Sequence, residues 1–343
     1  MHMADALVSP AVGGTMWVAA AATAAHCARK VREERDPAKI PLMGVMGAFI
    51  FGAQMLNFTI PGTGSSGHLG GGLILTILLG PEAAFLVIAS VLTVQALFMA
   101  DGGLLALGCN IVNLGVFPAF VAYPLFKRIV GGTWTTGRIF TGSIAAAEVG
   151  VVLGAFAVVL ETTLSGVSAL PFTFFVAAMI PIHIAIGLVE GLVTAAVVLF
   201  VKQSQPELLV RTAEKKPVAG LNLKPVIVGV ALAAMLSAVA LSWFASTNPD
   251  GLEWSIARVS GSEQLAAGAS QRIHATLASI QEKTAFLPGY GFKSPAATDT
   301  ETSGPAGRAD TSVAGLVGAL LTLLVALAVG LGLAHRWRRA LRG

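Results

Sequence analysis

Residues 172–201 read FTFFVAAMIPIHIAIGLVEGLVTAAVVLFV, a run whose ionisable side chains are His183 and Glu190, with neither Lys nor Arg. About 20 apolar residues suffice for an α-helix to cross the hydrocarbon core of a bilayer, so this run predicts a membrane span. Working outward, comparable runs occupy 10–28, 41–58, 69–79, 82–100, 104–126 and 140–160, and two more follow at 225–244 and 313–334. Apolar residues are 55% of the 343 and charged residues 12%, about half the charged share of a soluble domain. The ~10-residue alternating segments of a membrane barrel are not visible. The sequence therefore predicts an all-α polytopic membrane protein. A seven-span body fills 1–202, a cytoplasmic linker 203–221, and a two-span hairpin 222–343 with a long outer loop over 245–312.

Lys and Arg placement sets orientation in membrane proteins more than net charge does; the net charge here is +4. With the N-terminus outside, 17 of the 22 Lys/Arg fall in segments on the inner face, and the other five lie in the long loop. The short outer loops have none. The expected topology is N-terminus outside, C-terminus inside, in a bacterial or archaeal cytoplasmic membrane. Met1 leads directly to Asp5 and the first charged cluster follows the first apolar run, so no cleaved leader is predicted. Cys27 and Cys109 fall near opposite faces, too far apart for a disulfide.

This topology brings Met1-His2, the loop Gly62-Thr-Gly-Ser-Ser-Gly-His68 and Asp101-Gly-Gly103 to one outer face. A histidine at position two can chelate through three nitrogens: the α-amine, its own peptide nitrogen and its imidazole Nδ1. Nickel(II) and copper(II) favour planar nitrogen sites of this kind. Met1 is expected to be retained with its amine free, since its removal normally requires a small second residue. His68 can supply the fourth planar position. The glycines around it permit tight turns, Asn57, Ser65, Ser66 and Asp5 are the candidates to hydrogen-bond and support the ligands, and Gly67 gives the backbone room. The bland alternatives stand beside this reading: a disordered second residue and a histidine passing through a flexible loop.

Other features carry less. Glu148, Gln95, His183 and Glu190 are polar groups at membrane depth, which mark either a pathway or a contact between helices. The small residues Ala20/Ala24 and Ala21/Ala25 give span one a close-packing surface, either within its own bundle or toward another subunit. Gly132-Thr-Trp-Thr-Thr-Gly-Arg138 lacks the Lys-[Ser/Thr] of a phosphate loop, and the chain has no nucleotide-binding module.

Three stretches together carry a resemblance: Met1-His2-x-x-Asp5, Gly62-Thr-Gly-Ser-Ser-Gly-His-Leu-Gly-Gly-Gly72, and Asp101-Gly-Gly-Leu-Leu-Ala-Leu-Gly-Cys-Asn110. Over roughly 1–202 the chain resembles the substrate-capture (S) component of nickel/cobalt energy-coupling-factor (ECF) transporters of CbiM/NikM type. Pro249-Asp-Gly-Leu-Glu-Trp254 looks like the signature of the small accessory subunit, NikN-like, of the nickel branch, over about 222–343. The resemblance implies a seven-helix bundle and a planar nickel or cobalt site built from the Met1 amine, the His2 backbone nitrogen and Nδ1, and His68. The metal is cargo; no resident cofactor and no nucleic acid are implied. It also implies a transmembrane coupling protein and two cytoplasmic ATPases as partners, with the alanines of span one as a docking face in membrane lipid. The loop reads Ser-Ser-Gly-His-Leu where the cobalt branch more often has Ser-Ser-Ser-His-Pro, which leans toward nickel; cobalt import for cobalamin synthesis is the near alternative. A proton-coupled carrier or channel would use Glu148, His183 and Glu190 without partners. A metallohydrolase would need the Glu of H-E-x-x-H, which is missing.

Overall fold

The computed structural model describes residues 2–262, 271–293 and 305–340. The chain is an all-α membrane protein whose helices, among the described residues, are interrupted by a single short β-hairpin. Helix α1 (Pro10–Glu34) starts where the Ser9 hydroxyl accepts from the Val12 N–H with Pro10 in the first turn, a standard start signal. It runs six residues past the predicted end of span one, because Arg, Lys and Glu are good helix formers and Lys30 pairs with Glu33 one turn on. The reversal comes at Arg35, in left-handed conformation, just before Asp36-Pro37. Ala20 is buried and Ala24 packs against the core, whereas Ala21 and Ala25 are exposed. The two alanine pairs therefore face opposite ways.

Helix α2 (Lys39–Gln54) is buried along almost its whole length. It is central because the two C-terminal helices, α9 (Lys224–Val239) and α12 (Pro305–Ala340), lie against it. Small residues make that approach possible: a Cβ on Gly52 would stand 3.0 Å from the Ala234 carbonyl, and one on Gly44 2.8 Å from Leu327. The C-terminal pair is thus packed into the body.

After α2 come β1 (Phe58–Ile60) and β2 (Ser65–Gly67), antiparallel and paired Phe58 to Gly67. Helix α3 (Gly72–Leu79) follows. The run 69–79 predicted a span; its helix has only eight residues, about 12 Å long, and is wholly buried among its neighbours. Helices α4 (Pro81–Met99), α5 (Leu107–Val130), α6 (Thr136–Ser165) and α7 (Phe172–Ser204) are long and apolar enough to cross a membrane, as is Ala309–His335 within α12. In α5 the turns widen over Val112–Ala122, around Pro118, whose ring cannot donate in the helix ladder.

The linker is not a free tether. It contains α8 (Pro206–Ala213) with Leu208 and Leu209 buried, and it is tied back by Lys215 to Glu82 at 3.0 Å and by the Val218 N–H to Asp36 at 2.6 Å. At the opposite end, beyond α9, α10 (Gly251–Ser260) begins in a reciprocal cap between Asp250 and Glu253, and α11 (Gln271–Thr284) crosses back. The composition of Lys293 to Arg308 reads as disordered, and most of that stretch lies outside the described residues. Cys27 and Cys109 are separate buried thiols.

Candidate metal centre

The hairpin β1–β2 hands the chain to His68 at one end of the bundle, and the N-terminal segment arrives there from the other side. The segment is pinned at Met3, whose N–H donates to Asn110 Oδ1 at 2.8 Å and whose carbonyl accepts from Asn110 Nδ2 at 3.3 Å and the Gly103 N–H at 2.9 Å. Two residues on, the Asp5 carboxylate accepts from the Leu105 and Ala106 N–H groups at 2.8 and 3.0 Å. Glycines at 102 and 103 permit this contact: a Cβ on Gly102 would stand 2.9 Å from the Asn110 amide. His2 is thereby carried over the loop. Met1, expected to give the first ligand, lies outside the described residues.

His2 and His68 come together with parallel rings, 1° between planes and 5.0 Å between centres. Two imidazoles at adjacent positions of one planar metal, with bonds near 2 Å, would have centres about 4.5 Å apart. His68 is pointed by its neighbours: Nδ1 donates to the Leu69 carbonyl at 3.1 Å. A carbonyl only accepts, so Nε2 carries the lone pair. Burial pushes the His68 imidazole down to about 3 and holds His2 below its ordinary value as well, against the pull of Asp101. Both rings are therefore neutral at physiological pH, the form that binds metal. For His2 the expected ligand nitrogen is engaged elsewhere: Nδ1 lies 3.2 Å from Asp101 Oδ1, and Nε2 is buried. A half-turn about Cβ–Cγ carries Nδ1 to the opposite ring edge.

The residues that support this centre are largely not the ones predicted. Gln95 Nε2 donates to Gln54 at 2.8 Å, and Gln54 Nε2 in turn to the Gly70 carbonyl at 2.8 Å, linking α4 and α2 to the His68 loop. Glu190 accepts from the Gly70 and Gly71 N–H groups at 2.8 and 3.1 Å; its carboxylate fixes the loop. His183 donates Nδ1 to Met179 within its own helix and has Nε2 buried without a partner, beside a cavity of about 20 Å³ that His68 also lines. That cavity holds about one water. Glu148 lies on α6 where α7 comes close at Gly187. Ser66 instead binds the C-terminal module, donating its N–H to the Pro249 carbonyl and its hydroxyl to Asn248, both at 2.8 Å. The carbonyl of Asn57 accepts from Ser246, Ser65 is buried, and Gly67 leaves no room for a Cβ beside Ile186.

Above the two imidazoles a vestibule of about 810 Å³ is lined by the carboxylates of Asp101, Asp250 and Glu253 and by Tyr290. Tyr290 donates its hydroxyl to Asp101 at 2.5 Å. Burial and the adjacent Asp101 push the phenol well above its ordinary value, so the proton stays on the tyrosine. Among the described residues, no group of three or more His, Cys, Asp or Glu side chains is arranged to hold a metal.

Residues 2–208 match the family described as cobalt uptake substrate-specific transmembrane region, and residues 224–335 match the PDGLE domain. The fused nickel transport protein NikMN of Rhodobacter capsulatus is 31% identical over 239 residues, 65% of this chain and 68% of its own. The cobalt transport protein CbiM of Sorangium cellulosum is 30% identical over 218 residues, 62% of this chain and 95% of its own. Two solved structures described as transition metal transporters, one of them truncated, align with TM-scores of 0.53 and 0.54 at 28% and 27% identity. They cover 60% and 61% of this chain and 99% and 96% of theirs. The chain belongs to the CbiM family of nickel and cobalt transport proteins, here fused to a PDGLE domain.

Proposed function

We propose that this protein is the substrate-capture subunit of an ATP-driven ECF importer, taking nickel(II) at the outer face and delivering it inward. The observation that carries the reading is the meeting of His2 and His68, neutral and parallel, under an N-terminal segment pinned at Met3. The Met1 amine, the His2 peptide nitrogen and Nδ1, and His68 Nε2 form the planar ligand set. The His2 ring makes its half-turn away from Asp101 as metal arrives. Two imidazoles alone would leave half of a planar set vacant, and main-chain nitrogens fill it. In this reading the body is a seven-helix unit over 1–202, followed by a linker and the two-helix accessory hairpin from 222. The N-terminus is outside, as the Lys/Arg distribution indicates. The exposed Ala21 and Ala25 side of α1 meets the transmembrane coupling protein, and two ATPases act from the cytoplasm. The short α3 and the His68 loop are irregular backbone at membrane depth, tolerated where protein encloses it.

The test is metal content and cellular nickel uptake of the intact protein beside His2→Ala, His68→Ala and a variant with one residue added before Met1. Each change is expected to abolish nickel binding. Full binding by the extended variant would remove the amine from the ligand set and sink the reading. Cobalt binding preferred over nickel would reassign the cargo, and uptake without ATPase partners would favour a carrier.

A further inference from the structure

His68 is the partition between two spaces, since it lines both the vestibule of about 810 Å³ and the cavity of about 20 Å³. The walls of the smaller space come mainly from α5, α6 and α7. Its lining extends as far as Ala122, near the Lys127-Arg128 end of α5 that the Lys/Arg distribution places inside. An ion held by His68 therefore has the vestibule on one side and this cavity on the other.

The polar side chains lining the cavity are His68, Asn113, His183 and Glu190. Both Glu190 oxygens are engaged by the Gly70 and Gly71 N–H groups. His183 Nδ1 donates to the Met179 carbonyl at 2.7 Å. A carbonyl only accepts, so in the neutral ring Nε2 carries a lone pair. That atom is buried without a partner, and so is Asn113 Oδ1, whose Nδ2 is committed to Glu161 at 2.9 Å. His183 is 0% and Asn113 3% exposed. Gly251 keeps the space beside the ring open: a Cβ there would stand 3.1 Å from Cε1 and 3.3 Å from Nε2.

Two orphaned acceptors on one cavity call for an occupant that brings positive charge or O–H groups, and ionisable side chains at membrane depth mark ion pathways. The space admits one water-sized occupant. A divalent ion with its shell of waters, at about 30 Å³ each, is too large, whereas an ion already stripped of that shell by the capture nitrogens fits. Imidazole nitrogen suits nickel(II) and its first-row neighbours. A pair of donors, one of them a neutral amide oxygen, holds such an ion weakly. That suits passage, because a conducting site must bind well enough to admit and loosely enough to release.

We propose that His183 Nε2 and Asn113 Oδ1 form an inner transit site, which takes the stripped ion from His68 on its way toward the cytoplasm. The inference rests on the capture reading above. The step is a ligand exchange: the bond to His68 Nε2 is released as the bond to His183 Nε2 forms. Protons lost at capture return to the amine and the His2 peptide nitrogen from vestibule water.

His183→Leu removes the donor and leaves an apolar filler. His183→Cys keeps a donor and marks it, because a thiolate bound to cobalt(II) adds a charge-transfer absorption in the near ultraviolet. The measurements are nickel affinity of the full chain in detergent, cellular nickel uptake, and the absorption spectrum with excess cobalt(II). His183→Leu is expected to bind nickel within about threefold of wild type while uptake falls about tenfold or more. His183→Cys is expected to show the thiolate band, absent from the wild type, which carries the same buried Cys27 and Cys109. Wild-type uptake by His183→Leu overturns the proposal, and so does a His183→Cys spectrum identical to that of wild type. A loss of affinity in His183→Leu as large as its loss of uptake overturns it too, since His183 would then be a support of the capture site. His68→Ala separates the two readings. If it leaves binding intact, the capture site itself is wrong; if it abolishes binding while the His183 variants match wild type, only the transit site fails.

Discussion

Asn110 offers a sharp test of whether the N-terminal segment must be held in place for capture. It lies on α5, is 2% exposed, and is the partner of the Met3 N–H; Met3 itself is fully buried. Truncation to alanine leaves that N–H buried and unpaired, which costs about 1–3 kcal/mol. The Met3 carbonyl keeps its bond from Gly103 and loses only the weaker one from Asn110, a further loss of about 0.5–1.5 kcal/mol. If the whole cost, about 1.5–4.5 kcal/mol, falls on the docked segment, metal affinity drops roughly 10- to 2,000-fold. Helix α5 itself does not depend on these bonds, so the protein should remain folded. Asn110→Asp retains an acceptor for the Met3 N–H and should stay within about tenfold of wild type. The assay is competition for nickel against a chromogenic chelator, with thermal unfolding of the metal-free protein as the control. Folded Asn110→Ala that binds nickel within about threefold of wild type would show that the clamp contributes nothing to capture.

Three further outcomes follow from the same geometry. Burial holds both imidazoles below their ordinary values, His68 at about 3, so proton competition falls chiefly on the amine, ordinarily near 8, and on the peptide nitrogen. Between pH 5 and 7 the logarithm of nickel affinity should rise by about two per pH unit, measured by titration at several pH values; a slope of about three would mean that an imidazole is also being deprotonated. Tyr290→Phe removes the hydroxyl that donates to Asp101, and metal affinity should fall about tenfold in the same chelator competition; no change would detach that arm of the module from the centre. Glu190→Ala strands the Gly70 and Gly71 N–H groups at a cost of about 2–6 kcal/mol, so the unfolding midpoint in detergent should drop clearly. Glu190→Gln should recover part of that drop, and an unaltered midpoint in both variants would deny Glu190 its role in holding the loop.

The membrane class and the long helices were legible because apolar runs flanked by Lys, Arg, Gly and Pro leave few alternatives. Residues 172–201 start where the helix Phe172–Ser204 starts and stop three residues short of its end. What local sequence could not show was where an apolar run fails to span. Residues 69–79 read as one more span, yet only eight of them are helix, since enclosure by neighbouring helices, not length, accommodates this stretch. The meeting of His2 and His68 at one end of the bundle follows from charge placement. Most of the polar residues around them do not, because their partners are main-chain groups distant in sequence: Asn110 at Met3 and Glu190 at Gly70. Asn57, Ser65 and Ser66 were natural candidates by proximity along the chain. Ser66 proved to be turned toward Asn248 and Pro249, and nothing in a loop of Gly, Ser and Thr announces that. Asp101 and Asn110 lay inside a quoted motif without an assigned duty. Tyr290, one of two tyrosines in the chain, gave a faint cue by its isolation in a polar loop.

The vestibule has a temporal dimension as well as a spatial one. Its floor is drawn from residues near the start of the chain, His2 and His68, while its walls wait for Asp250 and Tyr290. Ribosomal synthesis reaches those residues only after the seventh long apolar run has been made, so a chain interrupted earlier exposes both imidazoles to bulk water and to any thiol or imidazole competing for the ion. Fusion of the PDGLE domain makes closure an event of completion: the same polypeptide that offers the ligands carries, at positions 250 and 290, parts that shield them. A split pair of polypeptides would instead have to match their expression levels to keep every centre covered.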